Sequence, residues 1–272
     1  MSAELLTKVP FAKKVNIITS NFFVPKLDCY FAENQKEINL AQRLRYKVFF
    51  SERDRKLLTL KYFKRDSDRF DPFADHLIVT HKKSKFSKTK VVGTYRLLNS
   101  ASAQKCGFYS KEEFHIDKMI NNHEGQNLLE LSRSCIHQNF RKKNVLQFMW
   151  KKIHHYILDN NIDVLFGMAS FLNDQPKAIK TELTYLYQKF LMDENIRVSA
   201  LDHHKVDMNI ASLENVSELS IVKNLPTLVK AYLRLGAKIG DGAVVDNIVK
   251  TTDIFIYLPY KNISETYLKK FI

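Results

Sequence analysis

Apolar residues recur along this chain in short runs whose period switches between that of a helix and that of a strand. Ile38, Ala41, Leu44 and Val48 are three and four apart and predict a helix over residues 34–50. Residues 76–81 and 90–98 read as strands joined by a polar turn at 82–89, and residues 128–137 as a further strand. Val145, Leu146, Met149, Ile153, Tyr156 and Ile157 mark the buried side of a helix over 144–158. Residues 164–170 are apolar almost throughout, as a central strand should be. Helices follow at 181–192 and 224–235, the second with Pro226 in its first turn and Gly236 placed to end it. A late strand at 252–258 and two short strand candidates at 15–18 and 29–32 complete the set, while the mixed-charge stretch 51–71 reads as a loop. The sum predicts a mixed α/β fold, a central sheet flanked by helices. Without repeats or a Gly/Pro/Ser-rich linker, residues 1–272 form one expected domain, with 1–28 as an accessory N-terminal segment.

Composition narrows the class. Hydrophobic content of 45% and charged content of 26% describe a globular chain. No run approaches the roughly 20 apolar residues that span a bilayer, and no apolar core follows Lys8, Lys13 and Lys14 as in a signal peptide. A cytoplasmic protein is expected. Three separated cysteines argue against a disulfide framework and a zinc site, and the nine histidines make no ligand spacing. Forty-three Lys and Arg against 29 Asp and Glu leave +14. That excess suits nucleic acid, an acidic protein or an anionic membrane surface, and composition does not choose among them.

Charges placed where packing alone would not put them are the candidate chemistry. Arg45 lies in the first helix and Arg96 inside the apolar strand at 90–98, where an unpaired buried charge would be costly. Asp68, Asp71 and Asp75 are spaced so that a helical turn would gather three carboxylates, a repulsive arrangement unless cations offset it. Read alone, Arg45 and the aspartates also fit solvated charges, and Arg96 an edge-strand charge facing water. Glu130 and Arg133 interrupt the strand at 128–137. Their odd spacing points them to opposite faces unless a β-bulge intervenes, which would also leave a backbone N–H outside the ladder. A carboxylate near an amine and a free N–H near an oxyanion would suit thioester aminolysis; a structural Glu–Arg pair is the alternative. Arg141, Lys142 and Lys143 open the next helix, where cations oppose the macrodipole unless an anion binds there. The HxxxxD pattern from His154 to Asp159 falls at a helix end and is read as chance, and Gly240-Asp-Gly242 has no preceding strand to make a nucleotide fingerprint.

Leu44-Arg-Tyr-Lys-Val-Phe, Phe70-Asp-Pro-Phe-Ala-Asp-His-Leu, Val91-Val-Gly-Thr-Tyr-Arg-Leu-Leu and Glu130-Leu-Ser-Arg-Ser-Cys together resemble the ornithine lipid N-acyltransferases, and more distantly the acyl-homoserine-lactone (autoinducer) synthases. The closing segment from Lys230 through Asp246, with Thr251-Thr-Asp after it, is similar to the first group and not the second. The resemblance implies a GNAT-like acyltransferase fold, acyl-carrier protein as donor, ornithine as acceptor and lyso-ornithine lipid as product, with no cofactor beyond the donor's phosphopantetheine. It implies Glu130 as the base, directly or through a water. Arg45, Asp68, Asp71, Arg96, Arg133 and Ser134 would bind substrate, with Asp68 or Asp71 on the ornithine ammonium and Arg96 or Arg133 on its carboxylate. Arg141, Lys142 and Lys143 would meet the donor, and the basic surface would dock the carrier protein or rest on anionic lipid. Asn144 and Leu146 stand where acyl-CoA-binding GNAT enzymes have glycines, which favours carrier protein over CoA. An autoinducer synthase and a basic nucleic-acid-binding protein are the rival readings.

Overall fold

The computed structural model describes residues 26–52, 64–84, 86–142 and 144–263. Among them ten strands form a mixed sheet. Strand β1 (Lys26–Phe31) leads to helix α1 (Gln35–Tyr46), then β2 (Asp75–Lys82) and β3 (Lys90–Asn99). Short pieces follow: α2 (Ser100–Cys106), β4 (Phe114–His115) and α3 (Asp117–Asn122). The central crossover is β5 (Leu128–Ile136), α4 (Val145–Asp159) and β6 (Val164–Phe171). After it come α5 (Lys180–Phe190), β7 (Ser199–Ala200), β8 (Lys205–Val206), α6 (Glu218–Asn224), α7 (Thr227–Arg234), β9 (Lys238–Asp246) and β10 (Thr251–Pro259).

The sheet runs β1-β2-β3-β5-β6-β10-β9-β7-β4, with β8 on β9. Neighbours are antiparallel except β5–β6, joined through α4 as parallel strands require, and β7–β9. Alternate residues of β5 feed the two sides. Leu129 and Leu131 pack with Val145, Met149 and Ile153 of α4, whereas Leu128 packs with Phe114, Met119, Phe166 and Phe255. The expected central strand at 164–170 is central, in keeping with its largely apolar run.

The differences from expectation are local. The first helix turns π-helical over Lys47–Ser51, and Pro226 caps α7 instead of lying within it. Gly240 and Gly242 are inside strand β9, an element not expected from the sequence. A Cβ at Gly240 would meet Phe255 Cβ at 2.9 Å and Val198 O at 3.0 Å, so close strand packing explains that glycine. The strand candidate at 15–18 lies outside the described residues, as do 53–63 of the expected loop and Lys143.

Candidate active site

Strands β5 and β6 pair over only three positions, Leu128–Glu130 against Val164–Phe166. One residue further on, Gly167 lies so close to Leu131 that a Cβ would sit 2.1 Å from its carbonyl oxygen. Beyond that contact the strands part. The gap is a cavity of about 180 Å³. Ser132, Arg133 and Ser134 of β5 form one wall and Met168, Ala169 and Ser170 of β6 the other. Phe49, Tyr109, Leu228, Asp246, Thr251 and Asp253 also line it.

On the β3 side, β5 carries a bulge. Arg96 pairs with Ser132 and Thr94 with Cys135, so Arg133 and Ser134 together face Tyr95. Arg133 takes φ +54°, a left-handed conformation costing about 1–3 kcal/mol for a residue with a Cβ. The bulge turns Arg133 to the same side of the sheet as Glu130, and Tyr109 touches both: its ring lies 4.8 Å under the Arg133 guanidinium and its N–H donates to Glu130. Such a bulge leaves its extra residue outside the ladder, with a backbone group free for a ligand.

Arg45, Asp68, Asp71, Arg96 and Arg133 gather on this side as one network. Arg45 is fully buried and donates to Asp66 Oδ2 (2.9 Å) and to both oxygens of Asp71 (2.9 and 2.8 Å). Arg96, 1% exposed, donates to Ser132 Oγ, Asp68 Oδ1 and Asp71 Oδ1. Arg133 donates to Asp68 Oδ2 at 3.1 Å, and its Nε lies 3.7 Å from Asp66 without a hydrogen bond among the described residues. Burial alone would raise the Asp71 carboxyl, but the hydrogen bond and charge of Arg45, then Arg96, hold it down at about 2. The expectation that Asp68 or Asp71 receives the ornithine ammonium therefore meets carboxylates already engaged by arginines. Arg45 and Arg96 have no face on the cavity, whereas Arg133 and Ser134 do.

Glu130 joins this side of the sheet but not the cavity wall. It is fully buried, and its oxygens accept from Tyr109 N–H (2.7 Å), Ser110 N–H (2.6 Å) and Ser110 Oγ (2.5 Å). Burial raises its carboxyl, and the Ser110 and Tyr109 donors pull it back only in part. With three donors on it and no exposure, the carboxylate does not line the cavity. Its geometry is that of an anchor for the 3-10 turn Tyr109–Glu112, which in turn sets Tyr109 beneath Arg133.

The donor-side residues divide. Arg141 donates to Glu52 and to the Ile136 carbonyl, so it ties the segment after β5 in place. Lys142 is exposed, and Asn144 makes no side-chain cap at the start of α4. Sequence reasoning missed Asp246, Asp253 and Tyr109. The signal for Asp253 was present as a charge in an otherwise apolar strand, the reasoning that had singled out Arg96.

The stretch 44–151 matches the acetyltransferase (GNAT) domain family. Among curated proteins, the L-ornithine N(alpha)-acyltransferase of Brucella abortus (strain 2308) is 37% identical over 90% of this chain and 88% of its own length. The enzyme of the same name from Agrobacterium fabrum is 35% identical over 89% and 84%. A solved N-acyl amino acid synthase from uncultured soil microbes aligns over 88% of this chain and 93% of its own at 12% identity, with a TM-score of 0.48. On a likeness to curated relatives that runs over nearly its whole length, this chain belongs to the L-ornithine N(alpha)-acyltransferase family.

Proposed function

We propose that this enzyme moves a fatty acyl group from the thioester of acyl-carrier protein to the α-amine of ornithine, making lyso-ornithine lipid. The observation that carries the reading is the gap opened where β5 and β6 part, with a bulged strand on one wall. A phosphopantetheine arm threaded between the strands would set its thioester carbonyl against the bulge. There, a backbone N–H outside the ladder would receive the oxyanion. Arg133, which lines the cavity, would hold the acceptor carboxylate. The α-ammonium first gives one proton to solvent. The amine then attacks, the C–N bond forms and the C–S bond breaks. The expelled thiolate takes up the second proton, which the attacking nitrogen releases. No acyl-enzyme is needed.

Glu130 serves this reaction as a positioning residue: it fixes the 109–112 turn, and with it the Tyr109 ring that packs under Arg133. Lys142 and the remaining basic surface, with an overall +14, would meet an acidic carrier protein. The deciding experiment incubates the pure protein with ornithine and either acyl-carrier-protein or acyl-CoA thioesters, and locates the acyl group by tandem mass spectrometry. Nα-acylornithine formed from the carrier-protein donor is the expected product. Turnover restricted to acyl-CoA would overturn the donor assignment, and a lactone made from S-adenosylmethionine would overturn the acceptor.

A further inference from the structure

We propose that the Ser134 hydroxyl is a second oxyanion donor beside the bulge, and that the buried Tyr95–Tyr232 pair fixes the direction in which it donates. The inference deepens the reading above and rests on it, since it takes acyl transfer to occur in the gap between β5 and β6. Ser134 belongs to the two-residue bulge that faces Tyr95, and it lines the gap.

Behind Ser134 lies a run of hydroxyls. Tyr95, 1% exposed, is hydrogen-bonded through its Oη to Tyr232 Oη at 2.6 Å, and Ser134 is its other hydrogen-bonding neighbour. Tyr232 projects from α7 four residues after Leu228, so the two share a helix face, and Leu228 also lines the gap. Trp150 of α4 crosses the Tyr232 ring at 82° with centroids 5.5 Å apart. Two strands and two helices thus hold the run in place.

The order of donors follows from counting hydrogens, because each hydroxyl has one to give. Tyr232 is buried, and among the described residues its Oη has no hydrogen-bond partner other than Tyr95 Oη. If Tyr95 donated to it, the Tyr232 hydrogen would be left buried and unpaired, which is costly. Tyr232 therefore donates to Tyr95, and Tyr95 donates to Ser134. The Ser134 hydrogen is the one left over, and it enters the gap. Burial pushes the Tyr95 phenol up to about 12, and burial, then Tyr95, raises Tyr232 well above its ordinary value. Both keep their protons at neutral pH, so the order does not reverse.

As the thioester carbonyl becomes tetrahedral, its oxygen gains negative charge. A donor already aimed at that oxygen favours the transition state over the neutral thioester. The hydroxyl gives a hydrogen bond and no proton, so the balance of the reaction is unchanged. Tyr95 and Tyr232 touch no substrate and act through Ser134 as positioning residues.

The test measures kcat and both KM values, with ornithine and an acyl-carrier-protein thioester, in the wild type and four variants. These are Ser134→Ala, Ser134→Thr, the pair Tyr95→Phe with Tyr232→Phe, and that pair combined with Ser134→Ala. One oxyanion donor is worth roughly 100- to 1,000-fold in kcat. Ser134→Ala should lose that factor with both KM values unchanged, and Ser134→Thr, which keeps the hydroxyl, should recover most of it. The tyrosine pair is replaced together so that no buried hydroxyl is left unpaired. Its loss should lower kcat when Ser134 is present and change nothing further when Ser134 is already alanine. Equal losses in the two backgrounds would show the tyrosines supporting only the fold and would overturn their role. A higher donor KM with an unchanged kcat in Ser134→Ala would make Ser134 a ground-state contact, and wild-type kinetics would leave it no role. Either result overturns the assignment and leaves the acyl-transfer reading standing. A wild type that does not acylate ornithine would remove that reading, and this assignment with it.

Discussion

At Glu130 the two oxygens of one carboxylate meet three donors from Tyr109 and Ser110. A glutamine there could satisfy at most part of that set, because its amide nitrogen would face an N–H. Glu130→Gln is therefore expected to lower stability by about 1–3 kcal/mol, read as a smaller urea midpoint, and to lose turnover with it. A variant that unfolds like the wild type yet has no activity would return this carboxylate to the chemistry as a base. Residue identity was partly readable in advance. Charges inside apolar strands announced Arg96, Glu130 and Arg133 as paired or functional. What spacing could not supply was the partner, since Asp66 and Asp71 reach Arg45 across 21 and 26 residues of chain. Local sequence carries no trace of such a contact.

Helices and strands followed their periods well where they were long, as α4 and β6 show, and poorly where they were short. The two-residue strands β7 and β8 exist because β9 gives them an edge to pair with, and β4 pairs in turn with β7. Their own side chains do not specify them. Gly240 and Gly242 hid β9 itself, since glycine signals a turn until the neighbouring strand's closeness is known. Gly167 poses the sharpest demand of this kind. Gly167→Ala would put a methyl 2.1 Å from the Leu131 carbonyl oxygen, at a φ of +153° that side chains rarely adopt. The strands would have to separate at the apex of the gap. A loss of about 1–3 kcal/mol or more is expected in thermal or urea unfolding. The KM for the acyl donor should rise more than that for the amino acid. Equal change in both would place the apex outside the donor path.

Across the whole molecule, charge and topology speak to different questions. The +14 excess narrows the partner, not the fold. If Lys142 and its neighbours meet an acidic carrier protein, the KM for acyl-carrier protein should climb steeply between about 50 and 300 mM salt, as charges beyond a Debye length of roughly 10 Å become screened. The ornithine KM should move much less, because the proposed acceptor site, with Arg133 on its wall, lies inside a cavity. Matching salt dependence for the two substrates would argue against electrostatic docking. No described helix is long and apolar enough to cross a membrane. Sheet order was beyond the reach of local pattern, since it joins strands distant in sequence, β6 to β10 among them. That order has a mechanical corollary. Four strands on one flank and the β6–β10–β9 group on the other share only three backbone-paired positions, Leu128–Glu130 against Val164–Phe166, so the buried side chains that run through both flanks and α4 hold them together more than the ladder does. Widening at that seam would break few backbone hydrogen bonds, and it would fall at the gap proposed to receive the acyl donor.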